Sequence, residues 1–182
     1  MLYLLKSDYK KYQKYGGNFI SIIFFTQGFW AILQYRVANH IYKLKLPAVL
    51  RKFILFFCLL WQKSIEILTG ISIPASVEIG RSFYIGHFGN IILNAKSVIG
   101  NNCNISQGVT IGVSGQGKNR GIPVIHDNVY IGANAVIAGR ITIGNDVVVG
   151  ANSLVNQSIP NNSIVLGVPA VVVKKIDKNL YI

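Results

Sequence analysis

Acidic residues, cysteines and long apolar runs are all scarce in this chain. Only six Asp and Glu oppose eighteen Lys and Arg among 182 residues, a formal net charge of +12. Charged residues are 13% of the chain and hydrophobic ones 51%, a balance that excludes a disordered polyelectrolyte. The two cysteines, Cys58 and Cys103, lie far apart, with no CxxC spacing and no histidine cluster beside them. That argues against a zinc site or a disulfide framework, and reads as two small buried hydrophobes in a reducing cytoplasm. The longest uninterrupted apolar run, Phe53–Trp61, falls well short of the roughly 18 residues a membrane-spanning helix needs. Lys6, Asp8 and Lys10 follow Met1 too closely to leave the apolar core of a signal peptide.

What is present is unevenly spread. Residues 1–66 hold ten Lys and Arg against Asp8 and Glu66, and fifteen of the twenty aromatics. Beyond Leu68–Gly70 the composition changes and a repeat begins. Aliphatic residues recur at every sixth position: Ile73, Ile79, Ile85; Leu93, Ile99, Ile105, Ile111; Ile125, Ile131, Ile137, Ile143, Val149, Val155. Four residues after most of them stands a second, smaller candidate for the interior, such as Val77, Ser97, Cys103, Val109, Val129, Ala135, Val147 or Ser153. Glycine directly follows many of them, as at Gly80, Gly100, Gly132 and Gly150.

A period of six fits neither a 3.6-residue helix nor an alternating sheet. It fits a triangular coil in which each hexad supplies a short strand and a corner, and three hexads close one turn. Gly or Asn is expected at the corners, where a positive φ is cheap for them. Such coils wind left-handed, against the usual crossover rule. The fold class is therefore mainly β: a left-handed parallel β-helix over residues 69–173, preceded by an α-helical segment (1–68) and followed by a tail (174–182). The register slips twice. Two residues are inserted at His87–Asn90, and an aperiodic stretch, 113–123, reads as a loop thrown out from the coil, carrying Lys118 and Arg120.

The hexads, GHFGN, ISQGVTIG, the excursion loop and the ending GVPAVVVKK together resemble the serine acetyltransferase-like branch of hexapeptide acyltransferases. The likeness covers roughly Thr69–Lys175, with a weaker trace around Tyr35–Leu46. It implies a homotrimer of prisms, acetyl-CoA as co-substrate in a groove between neighbouring coils, and an active site shared between subunits, without a metal. His87 falls on the family's catalytic histidine. Ala133 and Ala151 fall on positions whose backbone lines the acetyl-CoA groove, and their spacing of eighteen independently stacks them on one face. Lys174 and Lys175 stand where the family often places cations near the nucleotide phosphates. Asn90, Lys118 and Arg120 are the candidate acceptor contacts, although the two loop cations read equally well as solvated charges.

This sequence departs from the serine-specific pattern at four positions. Gly86 stands where those enzymes carry Asp before the histidine, Gly121 and Ile122 where they carry Arg-His, and Ser72 where they carry the carboxylate that orients the histidine. A serine acceptor needs partners for both its ammonium and its carboxylate. With those partners missing, the expected acceptor is a sugar hydroxyl in surface-polysaccharide synthesis. Serine O-acetylation is the alternative, and a non-catalytic β-helix scaffold is a second one. The chemistry needs a base, an oxyanion donor and alignment: a neutral imidazole takes the hydroxyl proton and backbone N–H groups hold the oxyanion. Neither cysteine is wanted as a nucleophile. His126, at a corner, reads as a solvated turn residue, and His40, in the helical segment, as one that packs or faces solvent.

Helices are expected around Lys6–Tyr15, Ile20–Lys43 and Pro47–Leu68, with Pro47 near a helix start. Three readings of this segment stay open: packing on the β-helix, in-plane attachment to an anionic leaflet, and nucleic-acid binding, which no groove-reading motif supports. The expected location is the cytoplasm, with peripheral attachment to the inner face of the cell membrane left open.

Overall fold

A computed structural model describes residues 1–177 and 181–182. Four helices come first: α1 (Leu2–Lys14), α2 (Phe19–Phe25), α3 (Gln27–Lys43) and α4 (Ala48–Thr69). The helix expected over Ile20–Lys43 is broken at Thr26, whose backbone is extended. The break is bonded locally: Thr26 Oγ1 donates to the Ser21 carbonyl, and Trp30 Nε1 reaches back to the Ile23 carbonyl. It also frees α3 to press its Gly28 against the β-helix, where a Cβ would lie 2.4 Å from the Ile85 carbonyl oxygen.

From Ile71 the chain coils into a three-faced prism. The first face stacks β1 (Ile71–Ser72), β4 (Ile91–Leu93), β7 (Thr110–Gly112), β10 (Val136–Ala138) and β13 (Leu154–Val155). The second stacks β2 (Glu78–Ile79), β5 (Val98–Ile99), β8 (Val124–Ile125) and β11 (Thr142–Ile143). The third stacks β3 (Tyr84–Ile85), β6 (Asn104–Ile105), β9 (Tyr130–Ile131), β12 (Val148–Val149) and β14 (Ser163–Gly167), and ends in β15 (Ala170–Lys175). The pairings between these strands are parallel except that of β14 with β15. The register carries the repeat: Val136 lies beside Leu154, one regular turn away, whereas Ile71 lies beside Ile91 across the two-residue insertion.

The repeating aliphatics fill the prism. Ile85, Ile111, Ile131, Ile137, Ile143, Val149 and Val155 are wholly buried, and so are the smaller Val77, Cys103, Val109, Val129, Ala135 and Val147. Of the two residue types expected at the corners, asparagine takes most of them. Positive φ falls on Ser82, Asn102, Asn128, Asn134, Asp146, Asn152 and Asn162, not on the glycines that follow the aliphatics. Those glycines serve close stacking instead: a Cβ on Gly100 would sit 2.6 Å from the His126 carbonyl carbon, and one on Gly132 would sit 2.6 Å from the Ala151 nitrogen.

The helices are clamped to the first coil by a buried ion pair. Arg36 donates to both oxygens of Asp8 (2.8 and 3.1 Å) and to the carbonyls of Ile79 and Gly80. The Phe83 N–H donates to Asp8, so the pair is satisfied on every side. Beside it Tyr12 both donates to the Ile85 carbonyl and accepts from the Ile85 N–H. Residues 113–123 do leave the coil. Ser114 and Gly121 pair antiparallel, a single 3₁₀ turn spans Gly117–Asn119, and Arg140 holds the Lys118 carbonyl.

Candidate active site

The two-residue insertion after β3 produces the corner that carries His87. Gly89 (φ 103°) and Asn90 (φ 50°) turn the chain there. The Gly89 N–H donates to the Thr69 carbonyl at the end of α4, and the Ile91 N–H to that of Gly70. The loop is thus seated on a helix terminus, and His87 and Phe88 are left exposed.

His87 lines a cleft of about 500 Å³ together with Ser106, Gln107, Tyr130, Ala133 and Ala151. Its lining comes from five successive coils of the third face, from His87 at one end to Leu166 at the other. At a strand spacing of about 4.8 Å, four steps give a cleft roughly 19 Å long, running parallel to the prism axis. Its floor is made of Gly132–Ala133 and Gly150–Ala151, small residues stacked one turn apart that let a ligand approach the backbone. Tyr130 and Tyr181 stack at 5.2 Å along its side. Apart from His87 and these phenols, no ionisable side chain among the described residues lines it.

Three of the residues singled out in the sequence, His87, Ala133 and Ala151, are therefore brought together. The others lie outside this lining. Lys174 and Lys175 sit on β15 beside Ile164 and Ser163, with Lys175 Nζ bonded to Ser163 Oγ at 2.9 Å. Asn90 is exposed at the far side of the corner, and Lys118 and Arg120 are exposed in the excursion loop. His126 and His40 are exposed as well. Ser106 and Gln107 belong to the ISQGVTIG motif but have no role assigned by it, and Tyr130 and Tyr181 lie outside the motifs of the resemblance. The eighteen-residue stacking rule reaches Tyr130, which lies beside Val148, but not Ser106 and Gln107, because the excursion loop lengthens the step from β6 to β9 to 26 residues.

Ser72, where the resemblance calls for a carboxylate, is itself bonded to one. Ser72 Oγ donates to Glu66 Oε1 at 2.7 Å, and Gln62 and Lys63 bond the same carboxylate. Burial works against its ionisation, but the bonds from Lys63, Ser72 and Gln62 outweigh it and hold the carboxyl below its ordinary range. Among the described residues no cluster of three metal-ligating side chains occurs, and no helix is long and apolar enough to cross a membrane.

A parallel triangular coil with a histidine at a broken corner and a floor of stacked small residues defines a hexapeptide-repeat transferase. The family model for bacterial transferase hexapeptide repeats (six repeats) matches residues 122–157. The serine acetyltransferase of Bacillus subtilis (strain 168) is 35% identical over 167 residues, covering 90% of this chain and 73% of that one. That of Synechococcus elongatus is 31% identical over 156 residues, and the match spans 61% of its length, less than two thirds. The crystal structure of serine acetyltransferase in complex with coenzyme A from Brucella abortus strain S19 superposes with a TM-score of 0.84. It is 26% identical and covers 97% of this chain and 68% of the other. The chain belongs to the serine acetyltransferase family, and so to the left-handed β-helix O-acetyltransferases that use acetyl-CoA.

Proposed function

We propose that this chain moves an acetyl group from acetyl-CoA to a hydroxyl directly, with His87 as the general base. The observation that carries the reading is the sharing of one long cleft by His87, Ala133 and Ala151. The small-residue floor suits an extended thioester arm laid along the prism, its acetyl end at His87. The imidazole takes the proton as the hydroxyl oxygen attacks the thioester carbon. The thiolate of CoA then leaves as the tetrahedral intermediate collapses. Ser106 and Gln107 border this end of the cleft and would orient the reacting groups.

Serine is the acceptor that the relatives favour, since those compared here bear that name. This displaces the sugar expected from the sequence as the first choice. A neutral hydroxyl, as on a sugar, stays as a second reading on one specific observation: among the described residues neither carboxylate nor guanidinium lines the cleft to pair a zwitterion. A homotrimer, in which a neighbouring copy closes the open side, agrees with the cleft's position on the outside of one prism.

The test is release of free CoA from acetyl-CoA with serine, or with a series of nucleotide sugars, as acceptor. Serine-dependent turnover supports the first reading, and turnover with sugars alone supports the second. His87→Ala should lower kcat by about 10²–10⁴-fold while leaving the melting temperature unchanged. Full activity in that variant would overturn the mechanism, and no turnover with any acceptor would favour a scaffold.

A further inference from the structure

Helix α4 is inverted with respect to its environment. The stripe it turns inward, against α3, carries Cys58, Gln62, Ile65 and Thr69, and Gln34 of α3 donates to the Cys58 carbonyl. The opposite stripe carries Val49, Phe53, Phe56, Leu60 and Ile67 at helical spacing, all exposed, Val49 and Ile67 by more than 80%. The buried stripe is thus narrow and half of it polar, while phenylalanines face out. No charged residue interrupts the helix between Lys52 and Lys63. An apolar face of this kind is not left bare on a soluble protein.

We propose that α4 docks in the plane of an anionic lipid leaflet. Charge selects this occupant. Lys43, Lys45, Arg51 and Lys52 cluster around the start of the helix, all exposed. The two acids of residues 1–66 are already engaged, Asp8 by Arg36 and Glu66 by Lys63. A second copy brought onto this face would carry the same cations and be repelled, whereas an anionic leaflet complements them. The mode is in-plane and not spanning, since one side of the helix is committed to α3 through a polar contact and no helix here is long and apolar enough to cross. Phe53, Phe56 and Leu60 enter the acyl boundary while the cations stay at the headgroups. The proposal does not depend on which hydroxyl is acetylated.

The docking face is also joined to the catalytic corner, because the Thr69 carbonyl that ends α4 holds the Gly89 N–H two residues from His87. An enzyme seated this way works beside the leaflet.

Flotation of the full chain with vesicles tests the idea, using phosphatidylcholine alone or mixed with phosphatidylglycerol. The parent should float with the mixed vesicles, and added salt should weaken that binding. Phe53→Ser/Phe56→Ser should lower the partition coefficient at least about tenfold with an unchanged far-UV spectrum. Arg51→Gln/Lys52→Gln, at exposed positions that do not endanger folding, should lower it about fivefold per cation, on mixed vesicles only. No flotation of the parent overturns the proposal. So does equal flotation of the charge variant, or an oligomer that buries this face and falls apart in the phenylalanine variant.

Discussion

Ala133 and Ala151 matter for what their side chains lack. Each leaves the cleft floor one methyl high, and the neighbouring Gly132 and Gly150 cannot be enlarged without striking the next coil. Ala151 is exposed and borders open space, so a bulky residue is tolerated there by the fold but not by a ligand. Ala151→Trp is expected to raise the KM for acetyl-CoA by about tenfold or more with little change in melting temperature, since several dispersion contacts along the arm are lost together. Steady-state kinetics at fixed acceptor, alongside a thermal melt, check this. The resemblance pointed to His87 and both alanines, and a register break and a spacing of one full turn agreed with it. Ser106, Gln107 and Tyr130 were not marked out in this way. They are outward residues of regular hexads, and nothing in a single hexad marks which face a ligand will use.

At the scale of the element, the hexad assigns its glycine to packing and its asparagine to geometry. Left-handed φ is borne by Asn102, Asn128, Asn134 and Asn152, whose short polar side chains tolerate it. The glycine is needed wherever the coil above comes within touching distance. Two glycines of the same motif position should therefore respond differently. Gly100→Ala, with the His126 backbone 2.6 Å from the new methyl, should destabilise by about 1–3 kcal/mol. Gly112→Ala, whose methyl would meet only a Thr110 side-chain carbon at 3.8 Å, should be neutral or stabilise by a few tenths of about 1 kcal/mol. Chemical denaturation of both variants decides it. The sequence pattern alone made these positions look equivalent, because periodicity reports that a corner exists and not how near its neighbour lies. The break at Thr26 was hidden for a related reason: Thr26, Gln27 and Gly28 interrupt the apolar run without announcing a break, which is set by Gly28 meeting Ile85 in space.

At the scale of the whole molecule, helices and prism are held together by polar groups that composition could not announce. Lys11 is buried with its ammonium 2.7 Å from Asn102 Oδ1, and burial lowers its pKa from an ordinary 10.5 to about 8. Below pH 8 it is charged in both folded and unfolded chains, and the cost of burying that charge is present in full. Between about 8 and 10.5 only the unfolded chain still binds the proton, so stability from this group rises with pH. Burial pushes Cys103 up to about 12, and this acts oppositely: from pH 9 the unfolded thiol ionises first and stability falls. Melting temperatures of the parent and Lys11→Met, measured from pH 7 to 10, should show the parent gaining on the variant across that range. A constant difference would contradict the assignment. The Asp8–Arg36 clamp was equally illegible, since its partners are 28 residues apart on different helices. The prism itself was legible throughout, because its core obeys one short rule repeated thirteen times. That same regularity carries a hazard which β15 answers. A solenoid is open-ended by construction, and its last rung is a template on which another chain can add. On the longest sheet the strand that follows β14 runs antiparallel and ends in Lys174 and Lys175. An incoming rung on that sheet meets reversed polarity and two positive charges, both of which disfavour its addition.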